Sequence, residues 1–332
     1  MQGKCIVGDG GVAELNIVKT HELNFIIIDD LEYTGNVSIH LNNSFVTDDS
    51  VSTGWNYTIP TAQDLYWIGG DGDWDDGNHW SGTSGGTAIG CMPTPFDNVH
   101  FDGNSFDTSN IDIDLKVDAY CHDLICDSLP YNIEIDLDDD VYISGSLDLM
   151  PGFNFNGSNT IYFISDSTNE SIDFGGNQTY GAFKMVLNGS GVWDLEDSIS
   201  MGDLNHAYNR NINIQKGTLN TNGHKIVTGK FVTGSDGAVN IKNSSLYLNG
   251  YIYDAWDMHS SGTLISADSS AIYLTHEGSQ YIPEFSGGSN HYNKVGFKEY
   301  GDIKGDCQID TLVFNAGYIL AINQYSEITI SD

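Results

Sequence analysis

The chain has 332 residues, and its 46 Asp and Glu against 12 Lys and Arg give a formal net charge of −34 at pH 7. That field disfavours nucleic acid and anionic lipid surfaces as partners, and no run approaches the ~18 apolar residues of a membrane-spanning helix. Thirty-eight Gly beside abundant Asn, Asp, Ser and Thr, with no apolar spacing of helical type, predict an all-β chain of short strands and tight turns.

Residues 1–63 read as short strands at 5–7, 14–18, 24–28 and 37–40, the expected end of a preceding β-helical repeat unit. The stretch 56–64, with Pro60, reads as a linker. Residues 64–106 form a Trp/Gly/Asp-rich connecting and capping block. Strand-like runs return at 99–101, 111–117, 133–137, 141–149 and 160–164 and continue to the end. Residues 107–332 are therefore expected to be a further β-helical unit. The chain stops at Ile328-Thr329-Ile330-Ser331-Asp332, within a strand pattern and without a cap, as expected of a truncated segment of a larger parent protein.

A self-similar unit of about 26 residues organises the second half. Gly191 and Trp193 recur one such step later as Gly217 and Leu219, and Leu246-Tyr247-Leu248 recurs as Ile272-Tyr273-Leu274. At a slightly longer step, Ile212, Leu219 and Asn222-Gly223 recur as Val239, Leu246 and Asn249-Gly250. Units of two or three short strands bury a face only by stacking, which predicts a solenoid, most simply a right-handed parallel β-helix. Trp193, Leu219, Leu246 and Ile272 are expected in one interior column. Asn222 and Asn249 are expected to stack as a turn ladder.

The block Tyr66-Trp67-Ile68-Gly69-Gly70, Asp73-Trp74, Asn78-His79-Trp80-Ser81, Ser84-Gly85-Gly86, Cys91-Met92-Pro93-Thr94, Asp97-Asn98-Val99, Phe101-Asp102 and Ser105-Phe106 resembles a repeat of giant Bacteroidetes surface proteins. These are gliding-motility or adhesin-like proteins exported by the type IX secretion system. The likeness is strong over 66–106 and soft elsewhere, and neither a signal peptide nor a sorting domain is present in the sequence. The resemblance implies an extracellular, cell-surface stalk or adhesin. Its partners would be neighbouring repeats of the same polypeptide, surface glycans or substratum, and the secretion machinery. It also implies a Cys91–Cys121 disulfide, closing a ~30-residue ring worth roughly 3 kcal/mol in the chain-entropy model. Cys5, Cys126 and Cys307 have no assigned partner.

Four readings of chemistry stand beside this one. Asp71, Asp73, Asp75 and Asp76, with Asp97 or Asp102, suggest a calcium site, although Gly77 falls one place late for an EF-hand and Gly82 replaces its final Glu. The bland reading is that these aspartates, like Asp136 and Asp138 to Asp140, shape turns. Trp67, Trp74 and Trp80 are either plates that close over the first coil or a platform for a sugar ring. Paired carboxylates on a β-helix suggest a polysaccharide lyase or glycoside hydrolase. A regular Thr face would suggest ice or carbohydrate binding, and Thr218, Thr221 and Thr228 supply its weak beginnings. No metalloprotease, nucleophile-elbow, phosphate-loop or dinucleotide motif occurs, so the expectation is a non-catalytic structural and adhesive segment.

Overall fold

A computed structural model describes residues 62–332 apart from 107–110, 129–131, 177, 180–182, 202–209, 251–253, 259–261, 279–281, 316, 323–327 and 331–332, together with six short strands between 13 and 46. Cys5 and most of the expected linker lie outside the described residues. The six early strands pair in parallel at one spacing: Ala13 faces Leu31, Glu22 faces His40 and Ile27 faces Phe45.

From Asp64 onward the chain is a parallel β-solenoid with three faces. The first face runs through Ala119–Cys121, Val141–Ile143, Thr160–Phe163 and Lys184–Leu187 to Leu320–Ile322. The second begins at Asp64–Trp67 and Asn98–Phe101 and ends at Thr263–Ser266. The third carries Ile111–Asp114, Ile133–Leu137 and Phe153–Gly157, and later Lys225–Thr228, Ser245–Leu248, Ala271–Leu274, His291–Phe297 and Cys307–Phe314. Strands such as Ile133–Leu137 alternate buried and half-buried residues, because successive side chains point to opposite sides of a pleated strand. The inward set forms one continuous core.

Beyond Thr263–Ser266 the described residues of each coil use only the first and third faces, and the coils shorten accordingly. Phe285 sits opposite Ile303 on the first face, and Val295 sits opposite Leu312 on the third. Aromatic bulk fills this narrowed section. Tyr292 is buried, donates to the Gly287 carbonyl at 2.7 Å and accepts from Trp256 Nε1 at 3.1 Å.

The interior column expected from the repeat divides in two. Trp193 lies opposite Leu219 and Leu219 opposite Val239, on the second face. Ile226 lies opposite Leu246 and Leu246 opposite Ile272, on the third. All four expected residues are fully buried in the same core. The step from Leu219 to Leu246 therefore combines one short coil, Leu219 to Val239, with the passage from the second face to the third. For the same reason Asn222 and Asn249 do not stack. The turn over Asn222 contains Asn243, and both have positive φ (49° and 63°), while Asn249 donates its N–H to Thr228 O at another corner.

Between the first and second faces the corner demands glycine. An added Cβ on Gly189 would sit 2.0 Å from Ser165 O, on Gly217 2.4 Å from Gly189 O, and on Gly237 2.1 Å from Ile214 O. Coils stacked about 4.8 Å apart leave no room there for a side chain.

Leu219→Ala should cost about 2–5 kcal/mol through the cavity it leaves, read as a lowered urea midpoint. Asn220→Ala, which removes one outward 2.8 Å hydrogen bond to Asp194, should cost about 1 kcal/mol or less. Equal losses would contradict the inward–outward register.

Candidate functional site

The aspartates of the Trp-rich block do not converge. Asp71 Oδ1 accepts from Asp112 N at 3.2 Å, Asp73 Oδ1 pairs with Lys116 Nζ at 2.8 Å, and Asp76 Oδ1 accepts from Asn78 N and Nδ2. Asp97 is buried elsewhere and accepts from Thr94 N and Oγ1 at 2.9 and 2.6 Å. Burial pushes its carboxyl above the usual range, against the lowering effect of the Thr94 bonds. Asp75 Oδ1 alone is buried without a hydrogen-bond partner, far short of the roughly six to eight oxygens that calcium requires. Among the described residues no three His, Cys, Asp or Glu groups gather as a metal site. These residues do not fit calcium; Asp76 and Asp97 act as turn acceptors, while Asp71 and Asp73 bind Asp112 and Lys116 of the next coil. Asp136 likewise accepts from Asn156 Nδ2, and Asp140 from Thr160 N.

The three tryptophans form core rather than a platform. Trp67, Trp74 and Trp80 are 0%, 1% and 0% exposed. Trp67 and Trp74 each meet Trp80 edge to face, with centroids 5.0 and 4.8 Å apart, and all three surround Phe101. Trp80–Ser81 pairs antiparallel with Tyr66–Trp67 and so covers the outer edge of the second face at this end. A sugar ring has no access to these indoles.

The expected Cys91–Cys121 bridge is absent, and both residues are buried thiols. Cys121 points inward from its strand, opposite Ile143, so its sulfur fills core space. Burial raises the Cys121 thiol and pushes Cys126 up to about 12 and Cys307 up to about 11, which suppresses thiolate chemistry. Thr221 and Thr228 are also fully buried. Thr221 Oγ1 lies 2.6 Å from Ser244 Oγ, and no flat Thr face forms from them.

The carboxylates relevant to hydrolysis lie on the second face and at its corner with the first. Asp148 lies opposite Asp173 on the second face, and burial, then the charges of Asp173 and Asp127, raise its carboxyl. At the corner between the first and second faces, His122 Nδ1 lies 3.1 Å from Asp123 Oδ1. That hydrogen bond holds the imidazole above its ordinary value. Burial favours protonation of Asp123, but the bonds from His122 and Ser146 N outweigh it and lower the carboxyl. Ser146 Oγ donates to Glu170 at 2.8 Å rather than to His122, so the trio is not a nucleophilic triad.

Two tyrosine ladders are the surface feature that the repeat pattern underplays. Tyr120, Tyr142 and Tyr162 project outward from the first face and stack at 5.0 and 4.8 Å. Tyr247 and Tyr273 stack at 5.2 Å on the third face. The signal was an apolar-Tyr-apolar triplet, as in Val141-Tyr142-Ile143 and Ile161-Tyr162-Phe163.

The second ladder continues in register through Gly296 to Val313. Because Gly296 carries no side chain, the column has a notch of about 230 Å³. Tyr273 and Val313 bound it along the rod, and Lys298 and Asn315 bound it across. A Cβ at Gly296 would meet Tyr273 Cδ1 at 2.8 Å. Lys225 Nζ lies 5.0 Å from the Tyr247 centroid and Lys294 Nζ 5.5 Å from that of Tyr273, as cation–π contacts require.

The chain matches no known family model, no curated protein and no solved structure.

Two measurements check this account. Alkylation of denatured, unreduced protein followed by peptide mapping should label both Cys91 and Cys121; protection of the pair would restore the bridge. The native state binds a proton at Asp148 more tightly than the unfolded chain does, so its contribution strengthens as pH falls through the carboxylate range. Asp148→Asn should therefore melt above wild type near pH 7.5, with the gap shrinking towards about pH 4. An Asn variant that melts lower at neutral pH would refute the assignment.

Proposed function

We propose that this chain is a non-catalytic structural and adhesive segment of a large, exported cell-surface protein, of the gliding-motility or adhesin-like kind that the 66–106 block resembles. The observation that carries this reading is the unbroken core along the parallel coils, which turns outward columns of Tyr, Asn and Asp into straight rows. A rod with repeated side chains at strand spacing offers many weak, equivalent contacts, and many such contacts give avidity. Carboxylates such as Asp123, Asp166, Asp173 and Asp197 accept hydrogen bonds from backbone N–H groups of turns and neighbouring coils, which supports holding over bond-breaking. Neighbouring repeats of the same polypeptide, surface glycans or the substratum are the partners in this reading. The secretion machinery would handle the parent protein.

Beads coated with the chain should be retained on polysaccharide-coated glass more than albumin-coated beads, while the polysaccharide releases no reducing ends or unsaturated products. Retention equal to albumin would remove the adhesive role. Steady product release, abolished by Asp148→Asn or Asp173→Asn, would transfer the chain to the polysaccharide-active enzymes.

A further inference from the structure

The geometry points to the notch over Gly296 as a subsite for one acidic sugar residue of a polysaccharide. This inference deepens the adhesive reading and rests on it. With 12 Lys and Arg against 46 Asp and Glu, the chain has few cations to offer an acidic sugar. The fold, however, gathers Lys225, Lys294 and Lys298 around one pair of stacked tyrosines.

The roles of the three lysines differ. Lys298 is matched by Glu277. Among the described residues, Lys225 and Lys294 form no ion pair and instead lie over aromatic rings. A lysine held over a ring keeps its full charge while losing side-chain freedom, so less is lost when it meets an anion. In a chain of net charge −34, an ammonium paired with no carboxylate among the described residues, beside an apolar recess, is the group best suited to a ligand anion.

The recess itself suits a pyranose. Its volume of about 230 Å³ is below the roughly 300–1,000 Å³ of pockets for drug-sized ligands, so it takes a single ring. Tyr273 and Val313 present apolar surface to the C–H face of the sugar. Thr275, Lys298 and Asn315 form a polar column at its side for hydroxyl groups. The sugar carboxylate is then directed to Lys294, whose Nζ lies 5.5 Å from the centroid of the Tyr273 ring that walls the notch.

The test uses the whole chain with trigalacturonic acid as probe and its methyl ester as the neutral comparator, by isothermal titration. The acid should bind, and the ester should bind at least about tenfold more weakly, the ratio expected for one charge-assisted contact. Lys294→Gln should lose a similar factor for the acid and leave the ester unchanged. Gly296→Val, which fills the notch, should abolish both; if it fails to fold, Lys294→Gln decides alone. Equal binding of acid and ester, an unaffected Lys294→Gln, or no binding of the acid would each overturn the subsite. In the last case the coated beads separate the two ideas: retained beads leave adhesion standing without this subsite, and unretained beads remove both.

Discussion

The constraint on which the molecule depends is the close parallel stacking of successive coils, about 4.8 Å apart, through backbone hydrogen bonds. At that spacing each side chain meets its counterpart one coil away before it meets anything else. Inward positions therefore become columns of Ile, Leu, Val and aromatic residues. Corner positions become columns of glycine, as where Gly217 lies opposite Gly237. Outward positions become the rows that any partner encounters.

The same stacking explains how so acidic a chain tolerates its charge. Many carboxylates accept backbone N–H groups that the corners expose. Asp123 accepts from Ser146, Asp173 from Gly175, Asp166 from Ser190 and Asp197 from Gly176. Such bonds supply the acceptors that turns require. Where burial outweighs such bonds and two carboxylates fall in register, as at Asp148 beside Asp173, the result is a raised affinity for protons.

Much of the architecture was legible because strand alternation and turn residues are local signals. The strand Ile133–Leu137 was read to the residue, and the offsets linking Trp193 to Leu219 and Leu246 to Ile272 are true inter-coil steps. The run at 141–149 was read as one strand, yet it breaks into Val141–Ile143 and Leu147–Asp148. Gly145 turns there with no space for a Cβ beside Asp123 Oδ1, a contact between coils that no local pattern announces. The slightly longer offset from Leu219 to Leu246 misled because a short coil plus one face imitates a long coil. The notch was hidden for a related reason. It exists only where coils of unequal length bring Tyr273, Gly296 and Val313 into one row. The Trp-rich block lays Trp80–Ser81 along a strand edge, but its calcium and sugar readings assumed exposed, convergent groups. The folded block uses those groups in its own interior and turns.

Coil length varies widely along the rod, from the short turn between Val295 and Leu312 to the long one between Trp256 and Phe285, while the columns stay aligned. Loss of the second face shortens the last coils, and the corners absorb the remaining difference. Insertions at a corner are thus decoupled from the ladder: residues can be gained or lost there without any strand changing sides, whereas a single-residue slip within a strand would turn its core residues to water. The scaffold can therefore carry interchangeable surface loops on a fixed spine, and variety of grip comes at little cost to the stability of the rod.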